Sequence, residues 1–261
     1  KSEELNALLS PAESALARDI WNIREKGNLP AGTGIPPGSS IPAESPRRAG
    51  EPDAGDDRED SPQVRAVREN LFRIREKRPR PALDDKILSD WNGLAIESLA
   101  TTGLILGEDW ILDAGREAGG FLITSLIRPD GSLWHRYRDG VTGVEGMAQD
   151  YVFAASGLLA LYQATSEARY LTVAISLTTT AITGFTDPGR GGLFATRELD
   201  PLVPVRMRDD YDGPVPSVNG HAFRLFTRLA IITGEERFQS AAQSLVGGMI
   251  PICRQRPTGC L

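Results

Sequence analysis

The chain has 261 residues, a net charge of −6, and the apolar and charged fractions of a globular protein that folds in water. The negative charge and the lack of a dense Lys/Arg cluster argue against a nucleic-acid partner. No apolar run approaches the length of a membrane span.

The first part of the chain predicts two helices separated by a polar excursion. Ser10–Lys26 has an amphipathic pattern that Ser10 and Pro11 open and Gly27 ends. The intervening residues, dense in Pro, Gly, Ser and Asp, predict a disordered loop, and Gln63–Lys77 is helical again. The predicted divisions are a helix of the toroid described below (1–28), the loop (29–61), helical repeats (62–250) and a tail (251–261).

Two short phrases recur along the rest of the chain. The first begins at Gly107, Ser166 and Gly234, with spacings of 59 and 68 residues. The second, Gly131-Ser132-Leu133-Trp134, returns 60 residues later as Gly191-Gly192-Leu193-Phe194. Repetition of this kind predicts one unit stacked on copies of itself, here a helix, a tight turn, a second helix and an extended segment.

Each copy of the first phrase joins two predicted helices. The pairs are Ser89–Leu106 with Glu108–Ile127, Met147–Thr165 with Glu167–Phe185, and Ser217–Thr233 with a helix that reaches Met249. The first helix of each pair is apolar on nearly all sides, which predicts burial on all sides. Inner helices alternating with outer ones indicate an all-α fold, an α/α toroid of helical hairpins, with short β-hairpin inserts over 131–140 and 191–207. About eight helices make an incomplete six-hairpin ring, whose open edges favour self-association.

The first two clusters of candidate residues lie where inner helices begin. Asp84, Asp85, Trp91 and Asn92 combine carboxylates with an aromatic ring that could stack on a sugar, although the acids could simply stabilise a helix dipole. Asp150 stands in the first turn of a mostly apolar helix. It could be an acid/base or hydroxyl-binding group, or one half of a buried ion pair with an arginine of the hairpin 136–139.

The third cluster spans Arg206–Asn219, where Asp212 and Tyr211 stand in a Pro/Gly-rich loop. A rigid loop with a solvated acidic turn explains it equally well, and the acid spacing does not fit a calcium loop. The two histidines, His135 and His221, more often serve as hydrogen-bonded structural residues, although His221 could shuttle protons in a toroid funnel.

The sequence predicts neither a metal site nor a cofactor, because no metal signature or glycine-rich phosphate loop is present. Cys253 and Cys260 predict incidental thiols in a reducing, cytoplasmic setting rather than a redox pair. The chain begins at Lys1 without a signal-peptide pattern and is expected to be the middle of a longer protein.

Four motifs, taken together and in order, resemble the YyaL-like family of thioredoxin-domain-containing proteins, which includes the spermatogenesis-associated members. They are Arg80–Leu94, Tyr137–Gly140, Gln149–Tyr151 and Asp209–Asn219. The resemblance implies a thioredoxin-like domain in the full-length protein. It also implies an α/α toroid similar to those of N-acylglucosamine 2-epimerases and six-hairpin glycosidases, of which this chain is the central part. Gln149 departs from the family pattern, which usually has an acid there.

The leading hypothesis is a carbohydrate-binding or carbohydrate-modifying toroid, which as an enzyme would be a sugar epimerase, an isomerase or a glycoside hydrolase. The predicted catalytic residues are Asp150, Asp85 and Asp212. The predicted substrate-binding residues are Asp84, Trp91, Asn92, Arg136, Tyr137, Arg138, Tyr151, Arg206, Tyr211 and Asn219. The alternative is a non-catalytic scaffold that binds a protein or peptide partner for the thioredoxin-like domain. A free carboxylate at an open funnel would favour catalysis, and carboxylates that are all paired or capping would favour the scaffold.

Overall fold

The computed structural model describes residues 1–30, 32, 34–43, 61–197, 202 and 205–255. The chain forms two compact units, Lys1–Leu83 and Asp84–Leu261. Most of the predicted polar loop, residues 44–60, and the predicted thiol Cys260 lie outside the described residues. Within the described residues, no helix combines the length and the apolar character needed to span a membrane.

The first unit contains three helices, α1 (Ser2–Leu8), α2 (Pro11–Ile20) and α3 (Pro62–Glu76). The Ser10 hydroxyl accepts from the Glu13 amide while the Glu13 carboxylate accepts from the Ser10 amide, so Ser10 begins α2 as predicted. The predicted end of this helix at Lys26 is wrong, because Asn22 adopts a left-handed backbone (φ 48°) just after Ile20. A small core holds the unit together, formed by Leu5, Leu9, Ala17 and Val67.

The second unit contains three helical hairpins, which confirm the predicted pairs to within a few residues at most ends. They are α4 (Ser89–Leu106) with α5 (Asp109–Phe121), α6 (Ala148–Thr165) with α7 (Ala168–Phe185), and α8 (Val218–Thr233) with α9 (Glu236–Gln255). A π-helical turn, Leu122–Leu126, extends α5.

The three copies of the first phrase are the helix ends that turn the chain back. Gly107, Ser166 and Gly234 all have left-handed backbones, with φ of 68°, 60° and 70°. Each donates its amide proton to the carbonyl four residues earlier, which ends the inner helix. Ser166 is the one of the three that carries a side chain in this conformation, which favours glycine.

Helix α6 packs between α4 and α8, so these three are the inner helices. It is buried continuously from Asp150 to Leu161, as the all-round apolar pattern predicted. Two glycines allow its backbone to approach α4. A Cβ atom on Gly93 would lie 2.4 Å from the Phe153 carbonyl carbon, and one on Gly157 would lie 2.5 Å from the Gly93 carbonyl oxygen.

A three-stranded antiparallel sheet lies beside the start of α4. Its strands are β1 (Ile87–Leu88), β2 (Trp134–Arg138) and β3 (Val141–Glu145), in the order β1-β2-β3. Although serine is a common helix cap and the sequence favours Ser89 as the cap of this helix, Ser89 is instead the first residue of α4, and its hydroxyl donates to the Trp134 carbonyl (2.5 Å). The second predicted insert, which is only partly described, contains a Thr186–Leu193 bridge and an Ala195 amide that donates to Met207 (2.7 Å).

Candidate functional site

The two copies of the second phrase are held by side chains from the first turn of the inner helix that follows. The Tyr151 hydroxyl accepts from the Leu133 amide (2.9 Å). The Asn219 side chain accepts from the Leu193 amide (2.7 Å) and donates to its carbonyl (3.0 Å). Tyr151 and Asn219 are both buried. Each of the two repeated segments is therefore fixed against the start of the inner helix that follows it, α6 or α8. The Tyr151 ring has almost no exposed face for stacking.

Asp150 is the centre of a buried polar group that we call the His135 network, formed by Asp90, His135, Gln149 and Asp150. The Asp150 carboxylate accepts from the amides of Met147 (2.8 Å) and Asp90 (3.2 Å). Its two oxygens lie 2.9 and 3.1 Å from Nδ1 of His135. Asp150 is completely buried, and its partner is a histidine of the hairpin rather than the predicted arginine.

Asp90 is the second carboxylate of the network. It accepts from the Trp91 amide (2.8 Å) and from the Gln149 side chain (2.8 Å). Burial raises the pKa of Asp90, and the neighbouring charge of Asp150 raises it further. Gln149 therefore contributes a neutral donor that ties α6 to α4.

His135 is the titratable member of the network that reaches solvent, with 18 % of its side chain exposed, whereas Asp90 and Asp150 are buried. The hydrogen bond to Asp150 raises the pKa of His135, and this effect outweighs the opposing effect of burial. Because Nδ1 is engaged by Asp150, Nε2 is the ring nitrogen available to exchange a proton with a ligand. An imidazole oriented by a buried carboxylate is an arrangement suited to general acid–base chemistry.

His135 and Asp90 are not among the predicted site residues, yet the repeat contains a signal that could have pointed to His135. It directly follows the first copy of the second phrase, where Ala195 follows the second copy. The fold therefore does not require a histidine at this point of the unit.

The ligand atoms of Asp90, His135 and Asp150 lie within 4.8 Å of one another, close enough in principle to hold a metal ion. Both carboxylates already accept backbone N–H groups, and Asp90 also accepts from Gln149. These hydrogen bonds favour a proton-bearing network over a metal site.

The other predicted carboxylates are also engaged. Asp85 pairs with Arg138 (2.6 Å), and Asp84 pairs with Lys86 (2.9 Å). Asp212 accepts from the Ser217 amide (2.8 Å) at the start of α8.

The remaining predicted binding residues divide into exposed and anchored groups. Trp91 and Tyr211 are 62 % and 60 % exposed. Asn92 donates to the Leu88 carbonyl (2.8 Å), and Tyr137 packs edge-on against Phe121.

The two remaining arginines are directed toward their own segments. Arg206 donates twice to the Thr196 carbonyl and lies over the Phe194 ring at 4.1 Å. Arg136 stands opposite Gly143 in the sheet. The predicted residues therefore form separate clusters, of which the His135 network at Asp150 is the one that contains a histidine.

No family model matches this chain. The chain is 34 % identical over 199 residues to human spermatogenesis-associated protein 20. The aligned region covers 72 % of this chain and 25 % of that protein. It therefore spans about a quarter of the length of this curated relative. The homology confirms the resemblance found in the sequence.

Two solved structures show the fold. The cellobiose 2-epimerase of Spirochaeta thermophila matches with a TM-score of 0.51 and 18 % identity, over 65 % of this chain and 43 % of that one. A family 76 glycoside hydrolase from a bovine Bacteroides thetaiotaomicron strain matches with a TM-score of 0.53 and 15 % identity, over 73 % of this chain and 43 % of that one. The chain thus has the predicted fold, part of an α/α toroid of the epimerase and glycosidase type.

Proposed function

For a chain homologous to part of spermatogenesis-associated protein 20, with the toroid fold of sugar epimerases and glycosidases, we propose a carbohydrate-modifying function in which His135 transfers protons. The observation that carries this proposal is the pair formed by His135 and the buried Asp150 at the start of the inner helices. Fold likeness raises the expectation of a sugar ligand by analogy only, and the pair supplies the chemistry.

The chemistry follows from the two states of the imidazole. With Nδ1–H donating to Asp150, neutral His135 offers the Nε2 lone pair as a base, and after protonation it offers Nε2–H as an acid. Asp150 stabilises the imidazolium that forms. Epimerisation needs a proton taken from carbon and returned, and glycoside hydrolysis needs a proton given to the leaving oxygen. Asp90, whose pKa is raised, is the second group that can carry a proton.

The other predicted residues have supporting roles in this proposal. Trp91, exposed next to Asp90, offers a ring for stacking on a sugar face. The ion pair of Asp85 with Arg138 offers hydroxyl contacts, while Tyr151 and Asn219 hold the extended segments. We also propose a cytoplasmic location and, in the full-length protein, a thioredoxin-like neighbour.

A ligand screen tests the proposal. Thermal shift of the protein against monosaccharides, disaccharides and amino sugars identifies a binder, whose conversion is then followed by proton NMR in D₂O. An epimerase introduces deuterium at the inverted carbon, and a hydrolase releases a new reducing end. We expect His135→Gln to lower the rate of conversion by at least about 100-fold while the protein still melts cooperatively. Unchanged turnover in a folded His135→Gln variant would exclude the proposal.

One observation favours a second candidate, a non-catalytic scaffold. Asp150, Asp85 and Asp212 are all paired or capping, which is the state expected of structural carboxylates. On this account no sugar shifts the melting temperature, and the exposed apolar end of the first hairpin, Leu104–Leu106 with Trp110, takes part in association. Sedimentation of wild type beside Ile105→Glu measures self-association, which the variant should weaken.

A further inference from the structure

A second polar group joins side chains of the three inner helices α4, α6 and α8. We call it the inner-face cluster, and it consists of Glu97 on α4, Gln163 on α6, and His221, Arg224 and Arg228 on α8. The three α8 residues follow each other at spacings of three and four, so they share one face of the helix.

Glu97 is the hub of the inner-face cluster. Its carboxylate lies 3.1 Å from Nε2 of His221 and accepts from Arg224 (2.7 Å) and Arg228 (3.1 Å). Burial alone would raise the pKa of Glu97, but the hydrogen bond with His221 and the neighbouring charges of Arg224 and Arg228 lower it overall. Arg228 also donates to Gln163 on α6. Side chains of α4 and α8 therefore meet across α6.

The cluster has more positive than negative charge. One carboxylate faces two guanidinium groups, which leaves an excess of at least one positive charge in a chain whose net charge is −6. A guanidinium has five N–H donors. Arg224 contacts Glu97 and His221 through the same nitrogen atom, Nη2, and its side chain is 55 % exposed. Arg224 thus keeps donors directed at solvent in the form that matches a carboxylate, phosphate or sulfate group.

The surroundings hold this cationic surface in place. The His221 ring packs edge-on against Phe153 at 4.9 Å, and its side chain is only 5 % exposed. Phe153 lies one turn beyond Asp150 on α6, and Glu97 lies two turns beyond Asp90 on α4, which is about 10 Å along the helix. A short saccharide could therefore contact the His135 network with one unit and the inner-face cluster with another.

We propose that the inner-face cluster binds the anionic group of an acidic saccharide through Arg224 and Arg228, with Glu97 orienting both guanidinium groups. The site selects a sugar that carries a carboxylate, phosphate or sulfate over its neutral counterpart. This inference rests on the proposed function, since it names the substrate class of the same toroid.

The test compares charged and neutral probes by calorimetry at low salt, using cellobiose, cellobionic acid, glucose 6-phosphate, glucose 6-sulfate, glucose and inorganic phosphate. We expect the acidic sugars to bind at least about tenfold more tightly than their neutral counterparts, because a charge-assisted pair contributes on that scale. Arg224→Gln should remove this preference, so that an acidic sugar and its neutral counterpart bind with similar affinity. The matched control is Arg169→Gln, an exposed ion-paired arginine on the outer helix α7, which should change neither.

Two outcomes would overturn the inference, and a third would overturn the proposed function alone. Equal affinity for acidic and neutral sugars, or a preference that Arg224→Gln leaves intact, removes the anion site while the proposed function stands. Inorganic phosphate binding as tightly as glucose 6-phosphate shows a site for free anions and not for saccharides. An acidic preference that depends on Arg224, in a protein whose sugar conversion is unaffected by His135→Gln, keeps the anion site and removes the proton-transfer proposal.

Discussion

The second unit contains two pairs of histidine and carboxylate that differ in which partner is exposed. In the His135 network the acid is the hidden partner, since Asp150 is 0 % exposed while His135 is 18 % exposed. In the inner-face cluster the histidine is the hidden partner, since His221 is 5 % and Glu97 14 % exposed. Asp150 is fixed by backbone amides, whereas Glu97 is fixed by arginine side chains.

This difference suggests different tasks for the same two residue types. A carboxylate held by backbone amides orients an imidazole whose other nitrogen is left to exchange protons. A carboxylate shared by two arginines orients guanidinium groups whose remaining donors are left for an anion. The exposed partner of each pair, rather than the identity of the paired residues, therefore determines whether the pair is suited to proton exchange or to anion binding.

The largest effect is expected where the two regions depend on the same helix contact. Gly93→Ala should destabilise the protein by about 3 kcal/mol, because its new Cβ would meet the α6 backbone at 2.4 Å and push Asp90 away from Asp150. Gly120→Ala is the matched control, since no atom lies within 4 Å of a Cβ there. It should be neutral or slightly stabilising. Urea unfolding measures both, and equal stability of the two variants would contradict this packing.

Removing the two carboxylates in separate variants tests whether the two regions differ in stability as we expect. Asp150→Asn should cost about 3 kcal/mol, because it leaves His135 and two amides around a buried site without their charged partner. Glu97→Gln should cost about 1 kcal/mol, since Arg224 can turn to water. Chemical denaturation gives the ranking, and a larger cost for Glu97→Gln would reverse our assignment of the two regions.

The pH dependence of unfolding distinguishes the His135 network more finely. Because the pKa of His135 is raised above its ordinary value of 6.5, the pair stabilises the fold fully below 6.5, and this stability is lost as pH rises through the folded pKa. The raised pKa of Asp90 also lowers the stability as pH rises, in a lower window that begins at its ordinary value of 3.8. His135→Gln should flatten the curve in the upper window. A curve that is equally steep above pH 6.5 in the variant would show that another group titrates there.

The smallest effect is expected at the left-handed residue that ends α6. Ser166→Gly should stabilise the protein by about 0.5–1 kcal/mol, because an exposed side chain is held at φ 60° where glycine has no strain. Ligand binding and the pH curve should not change. Thermal unfolding tests this, and a destabilised variant would mean that the Ser166 side chain contributes an interaction of its own.

The sequence predicted the scaffold far better than the site. The phrases at Gly107, Ser166 and Gly234 are helix ends set by local backbone preference, and all-round apolarity of α6 has one structural outcome, so both could be read from neighbouring residues.

The His135 network could not be predicted in the same way. It joins Asp90, His135 and Asp150, which are far apart in sequence, and the hairpin register decides which residue meets Asp150. An arginine of the same hairpin was one of the two alternatives for Asp150, because neighbouring positions on a strand cannot be distinguished without knowing which face each one takes.

The most direct test of the central claim, that Asp150 sets the protonation of His135, is the pKa of His135 measured by NMR of ¹³C-histidine-labelled protein. Wild type, Asp150→Asn and Glu97→Gln are compared, with His135→Gln identifying the signal. We predict a pKa above 6.5 in wild type, a fall toward the ordinary value in Asp150→Asn, and no change in Glu97→Gln. A wild-type value at or below 6.5, or a value that Asp150→Asn leaves unchanged, would contradict the account.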